Sequence, residues 1–432
     1  MAFPILLIYL FLTFIRPFDL NPSLDSLHLM QVFGYLGLIL TIAYLPVSRF
    51  PVLSSKQLHL MLLFVVMIGI SRILARHYFG GAIAALQEFN PTFFVFVILI
   101  VNLNNLKRVG WTMGVLVLLA LTLVAQVWMA FHYGTLSDLF ILAQPTADGD
   151  VIYRGRAAGF MSDPNDLAET LVAALPMLSI GWRKQRFIRN VVFVIVPALI
   201  LLYGVFLTKS RGAVLSLLVI VLLFARKRLG GVLATLFTAG AGLALLVLNF
   251  AGGRGFGASD NSARQRLEAW SIGLQALKQH PIVGVGYHYF QDFNQSFGGS
   301  SLTAHNSFVI CFSELGIFGY IIWMALLVLT HMELSAIQKL PVKSEEDARL
   351  HGYARAVQVG FYGFLASAWF LSRTYVVTLY ILVGLATALA AIARRRGAVL
   401  QSPLYPDLFG KAAGFGVLVI AMVYLSIKFS VR

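Results

Sequence analysis

Charge is scarce in this sequence. Only 12% of its 432 residues are charged and 59% are hydrophobic, with a mean hydropathy of +0.82. Soluble domains carry about 25% charged residues, so a soluble enzyme is excluded and a polytopic membrane protein is indicated. Acids are scarcer than bases, 18 against 33. Cysteine is nearly absent: Cys311 stands alone inside an apolar run, so no intramolecular disulfide can form. No CxxC, HExxH, P-loop or strand-linked G-x-G-x-x-G occurs, and neither a metal nor a cofactor is expected. Asp148-Gly149-Asp150 has a D-x-D form, but an Asp-Gly pair in a polar loop is usually a turn. Low-complexity tracts and soluble stretches are also missing, so residues 1–432 are expected to form one integral membrane domain. Met1 to Ile15 is apolar at once, with no basic n-region and no A-x-A site, and is expected as a retained first span.

What is present is a succession of apolar windows near the length of about 20 residues that crosses a bilayer. They lie near residues 2–15, 29–46, 57–71, 88–103, 110–131, 165–181 and 187–208. Others follow near 211–225, 229–250, 305–330, 356–372, 375–393 and 410–428. The fold class is therefore all-α, a polytopic transmembrane bundle of about 12–13 spans, some short enough to be re-entrant.

Basic residues set the orientation. Alternate connections hold Arg49 and Lys56, Lys107 and Arg108, Arg183 to Arg189, Arg226 to Arg228, Lys339 to Arg355, and Arg394 to Lys411. That side is expected in the cytoplasm. The net charge of +15 is then a topology signal that also attracts anionic lipid head groups, with no nucleic-acid implication.

Three connections on the opposite side are too rich for mere turns. The first, His132 to Asn165, ends near Gly159-Phe160-Met161-Ser162-Asp163-Pro164-Asn165. The second is tiny, Thr208-Lys209-Ser210-Arg211-Gly212. The third, residues 251–304, is a large loop with an expected helix from Ser262 to Gln279 carrying Arg264 and Arg266. Loops this long are usually functional or disordered, and the aromatic content here argues against disorder. It leads through Tyr287 and a glycine-rich segment to Ala304-His305-Asn306-Ser307, where an apolar helix begins with Glu314 about two turns in.

These residue types suit one chemistry. Lys209, Arg211, Arg264, Arg266 and His305 share a side of the membrane. Guanidiniums grip phosphate bidentately, so a lipid-linked pyrophosphate fits this depth. His305 is a natural general base, which Glu314 or Asp163 could orient. Blander alternatives stay open: Arg211 could snorkel to the interface, and His305 could merely cap its helix. Other histidines, His28, His59, His77, His132, His280, His288, His331 and His351, are assigned to interfaces and loops.

The series Thr208-Lys209-Ser210-Arg211-Gly212, Arg266-Leu267-Glu268-Ala269-Trp270, Pro281 to Gly286, and His305-Asn306-Ser307 with Glu314-Leu315-Gly316 resembles the O-antigen ligase and polymerase superfamily. Upstream, Asp163-Pro164-Asn165-Asp166 resembles a family motif that commonly has N-P-N, with Asp163 a departure. The likeness runs from about Gly159 to Gly319, with an echo at Arg373; the N-terminal third carries no matching motif. The resemblance implies a GT-C-like membrane glycosyltransferase in the bacterial inner membrane, its site facing the periplasm. It would pass a glycan from undecaprenyl pyrophosphate to lipid A-core, a growing glycan or a protein hydroxyl, by inversion and without a metal. Arg211 and Arg266 match the pyrophosphate-binding arginines and His305 the essential histidine. The candidate substrate-binding set adds Lys209, Ser210, Arg264, Asn306, Glu314, Asp163, Asn165, Tyr287 and Arg373. The alternatives are a protein O-oligosaccharyltransferase of the same superfamily or, in another class, a transporter or flippase. A transporter would need ionisable groups near the bilayer midplane, where these spans are nearly free of charge.

Overall fold

Backbone groups in lipid have no water to bond, so an apolar run of spanning length folds as a helix. The computed structural model describes residues 2–48, 52–145, 150–247, 261–298 and 303–430. In chain order its main elements are α1 (Ala2–Ile15), α2 (Leu29–Ser48), α3 (Lys56–Arg76), α4 (Phe79–Asn102) and α5 (Leu106–Tyr133). Next come β1 (Ile141–Pro145), β2 (Val151–Gly155), α6 (Pro164–Ala174), α7 (Val196–Thr208) and α8 (Arg211–Val247). The remainder are α9 (Asn261–Gln279), α10 (Phe290–Ser296), α11 (Ser307–Ile337), α12 (Glu345–Ala368), α13 (Val377–Arg395) and α14 (Tyr405–Ser430).

Among the described residues, nine helices are long and apolar enough to cross a membrane, and the chain is an all-α polytopic bundle. Four apolar windows fold differently. The window near 165–181 divides into α6 and a 3-10 turn, Leu175–Gly181, with Pro176 at the junction. Those near 211–225 and 229–250 join in α8, broken at Gly230. The one near 356–372 belongs to α12, which ends at Ala368. One feature is additional: β1 and β2 pair antiparallel, Leu142 opposite Arg154. The helix expected from Ser262 to Gln279 is α9. Residues 251–260 and 299–302 of the large loop, with Arg49 and Asp148, lie outside the described residues.

The chain divides into two compact units: Met1–Phe50, Ile98–Arg254 and Ile337–Ser367 form one, and Pro51–Val97, Gly255–Ala336 and Ala368–Arg432 the other. In the first, α7 packs on α5 and α6, and β2 rests against α6 and α7. In the second, α13 is buried without a break from Val377 to Ala393. A helix apolar all round belongs in an interior. Phe64, Phe89, Tyr375 and Tyr380 pack as one aromatic cluster near its start. At its far end the buried Glu333 is paired with Arg394 and accepts from Gln57, which satisfies a carboxylate that would otherwise be costly there.

Candidate functional site

In the second unit the geometry is set where α11 begins. Asn306 Oδ1 accepts the backbone N–H groups of Phe308 and Val309 at 2.9 and 3.1 Å. Asparagine is among the best N-caps, so Asn306 caps this helix and the capping alternative for His305 falls away. His305 stands one residue earlier, partly exposed, in a left-handed conformation with φ 47°. Such a conformation is uncommon for a non-glycine residue and here turns the chain into the helix.

Two segments are tied to that junction. Ser307 Oγ donates to Leu371 O at 2.6 Å and accepts from the Arg373 N–H at 2.7 Å. Thr374 Oγ1 donates to Ser307 O, and Ser372 Oγ to Thr303 Oγ1. The Arg373 echo is therefore laced to the backbone beside His305. On the other side, Trp270 Nε1 donates to Ala304 O at 2.8 Å. Gly273 lies so near α11 that a Cβ there would meet Val309 at 2.4 Å. Arg266, Trp270 and Gly273 stand four and three residues apart, on one helical face. The face of α9 that packs on the His305 junction thus carries Arg266, while Arg264 is exposed.

The Pro281–Gly286 and Glu314–Gly316 motifs explain one another. α11 is broken at Gly316, φ 63°. A turn-rich segment runs beside the break: Ile317 N–H donates to Pro281 O, Val285 N–H to Ser313 O, and Gly286 N–H to Glu314 O, at 2.8–3.0 Å. A Cβ on Gly316 would lie 2.4 Å from Ile282 backbone, and one on Gly284 2.3 Å from Glu314 backbone. Only glycine allows that approach. Glu314 accepts from Tyr375 Oη at 2.8 Å and from the Phe290 N–H at 3.3 Å, so its carboxylate holds this loop to the helix. Tyr287 is buried and its ring packs on Tyr375 at 4.5 Å.

In the first unit the turn between α7 and α8 is built with similar care. Lys209 closes α7 in a left-handed conformation, φ 51°, and Ser210 Oγ accepts from the Ala213 N–H to start α8. Arg211 is the first residue of α8 and is partly exposed. Burial holds the Lys209 ammonium below the usual lysine range, and Nζ lies 3.5 Å from the centre of the Phe206 ring. Behind the turn, Asn165 Oδ1 accepts from Ser210 Oγ at 2.7 Å and from Arg154 Nη2 at 3.0 Å. Asp163 caps α6 and accepts from Asn165 N and Nδ2 at 2.7 and 2.8 Å. Arg154 is 4% exposed and also donates to Thr208 O and Gln144 Oε1.

The predicted residues thus form two sets. Asp163, Asn165, Lys209, Ser210 and Arg211 belong to the first unit, and Arg264, Arg266, Tyr287, His305, Asn306, Glu314 and Arg373 to the second. Three residues without an expected role fix the site residues in place: Arg154, Tyr375, and Ser307 of the His305-Asn306-Ser307 motif. No sequence signal pointed to Arg154, because its role depends on the hairpin that sets it against Asn165.

A family model described as O-antigen ligase matches residues 196–324. No curated protein matches the chain. The matched stretch contains the Lys209–Arg211 turn, Arg266, His305 and the break at Gly316, so residues 196–324 are similar to the O-antigen ligase family, and the likeness to the O-antigen ligase and polymerase superfamily is supported over that stretch.

Proposed function

We propose that this multi-pass membrane protein transfers a glycan from undecaprenyl pyrophosphate to an acceptor hydroxyl on the periplasmic face of a bacterial inner membrane. The observation that carries this is the position of the family match, which spans both arginine-bearing helix starts and the His305 junction. Arg211 and Arg266 bind the pyrophosphate. As the acceptor oxygen bonds to the anomeric carbon from the opposite face, the bond from that carbon to the phosphate oxygen breaks. The leaving pyrophosphate keeps the electron pair, its charge stabilised by the guanidiniums. His305 takes the hydroxyl proton. Burial holds the Lys209 ammonium below the usual lysine range, and a bound anion would favour its charged form.

Arginines in this role replace a divalent metal, so turnover of the lipid-linked donor continues in EDTA. A loss of activity restored by magnesium or manganese would bring Asp148 and Asp150 into the site. The decisive experiment is genetic: delete the gene, find which glycoconjugate shortens or disappears, and complement with wild type or His305→Ala. Restoration by His305→Ala would overturn the assignment. Lipid A-core, a growing glycan and a protein are distinguished by which product is lost.

A further inference from the structure

A cluster in the second unit takes no part in the reaction above. His288 Nδ1 meets Glu88 Oε1 at 2.8 Å, and both side chains are well exposed, 43% and 50%. His288 is left-handed, φ 58°, a strained state for this residue type that persists only when the surroundings over-determine it. They do so here. Its ring lies on buried Tyr287, centroids 4.0 Å apart and planes 9° apart. The N–H of Tyr287 donates to Ser71 Oγ, and that of Phe290 to Glu314 Oε1. From the last turn of α3, the Arg72 guanidinium lies 4.1 Å from the centre of the Tyr289 ring. Its Nε is buried without a hydrogen-bond partner among the described residues, and its charge reaches both Glu88 and His288.

An exposed ion pair needs no strained backbone or stacked floor. This one presents a second carboxylate oxygen as acceptor, His288 Nε2 as a ring nitrogen not engaged by Glu88, and Arg72 as donor. Donors and acceptors alternating over a few ångströms suit hydroxyl groups, which both give and accept hydrogen bonds. A phosphate, an acceptor only, would meet the Glu88 carboxylate. The loop bearing His288 also runs on to His305 and is bound to Glu314 and, through Tyr287, to Tyr375.

We propose that Glu88, His288 and Arg72 form a saccharide-binding subsite that holds sugar hydroxyls of the glycan. The inference rests on the proposed function and specifies what the second unit recognises beyond the pyrophosphate.

The test uses the full chain in nanodiscs and three probes: undecaprenyl pyrophosphate alone, the same lipid carrying the host's repeat-unit glycan, and that glycan released by mild acid. Glu88→Gln removes the charge with little change of shape. His288→Asn keeps a residue that tolerates a left-handed backbone. Each variant should lower affinity for the glycan-bearing lipid and for free glycan by about tenfold or more, the scale of a lost charge-assisted hydrogen bond, and leave bare lipid unaffected. Equal losses with bare and glycosylated lipid would make the cluster a phosphate site and overturn the proposal. No loss with any probe would make it a structural ion pair. Should wild type bind free glycan but neither lipid, the donor assignment fails and the subsite stands. Should it bind no free glycan and discriminate neither lipid, the subsite fails.

Discussion

Asn165 Oδ1 accepts the Ser210 hydroxyl at 2.7 Å across 45 positions of sequence. The same oxygen takes a bond from the buried Arg154, so one side-chain amide connects the start of α6, the β-hairpin and the turn that presents Arg211. Asn165→Ala strands a buried hydroxyl and part of a buried guanidinium, a change worth about 1–3 kcal/mol. Thermal unfolding in detergent should show a lower midpoint for Asn165→Ala and a smaller change for Asn165→Asp. Equal midpoints for wild type and Asn165→Ala would mean that the turn holds itself.

Arginine and histidine roles separate in single turnovers. Arg211→Lys keeps the charge and loses the planar fork, so donor affinity and rate should both stay well below wild type. His305→Ala should bind donor nearly normally while the chemical step slows by roughly 10²–10⁴-fold. Loss of donor binding with the chemical rate retained would make His305 a phosphate ligand. Normal behaviour of Arg211→Ala would favour an arginine that only snorkels.

Gly316 and Gly298 give a contrast between strain alone and strain with collision. Both have positive φ, 63° and 76°. Among the described residues, an added Cβ at Gly298 meets nothing within 4 Å, whereas at Gly316 it meets Ile282 backbone at 2.4 Å. Gly298→Ala should cost about 1–2 kcal/mol, and Gly316→Ala about 2–5 kcal/mol as overpacking is added. Matching unfolding midpoints for the two variants would count against the docked loop.

His288 predicts a pH dependence. Burial opposes its charged form, but the Glu88 hydrogen bond and the neighbouring carboxylates outweigh it and raise its pKa. The folded state therefore holds this proton more tightly than the unfolded chain. The resulting stability is fully present below the unfolded value of about 6.5 and is lost as pH rises through the higher folded value. The gap in unfolding midpoint between wild type and His288→Asn should shrink from pH 5 to pH 9. A gap independent of pH would refute the linkage.

Orientation is checked by reporter fusion. Alkaline phosphatase joined after Gly298 should be active, because the flanking connections Arg226 to Arg228 and Lys339 to Arg355 carry the basic excess. An inactive fusion would reverse the topology.

The spanning helices were legible because their cause is local: an apolar run in lipid has one way to satisfy its backbone. The helix Asn261–Gln279 was expected from Ser262 onward, and the helix entrance at His305 from the apolar run that follows it, whereas the cap proved to be Asn306 and not His305. What stayed hidden depends on partners distant in sequence. Nothing near Gly316 predicts a broken helix, since its cause is the Ile282 backbone brought alongside. Pairing of Leu142 with Arg154 is what aims that arginine at the Lys209 turn. Glu88 and His288 each look like an ordinary interfacial residue until the fold places them in contact.

The docking of Pro281–Gly286 along the broken helix has a consequence for how such a chain can diversify. The stretch from Tyr287 to Thr303 leaves one anchored end, Gly286 on the Glu314 carbonyl, and returns to another, Thr303 on Ser372. Tyr287 N–H on Ser71 and Phe290 N–H on Glu314 fix the register of the chain that follows, so an insertion before Phe290 would pull both bonds out of place. A lineage that changes the length of this stretch therefore does so beyond Ser296, where Phe297 and Gly298 form an exposed turn, while the backbone around His305 keeps its place.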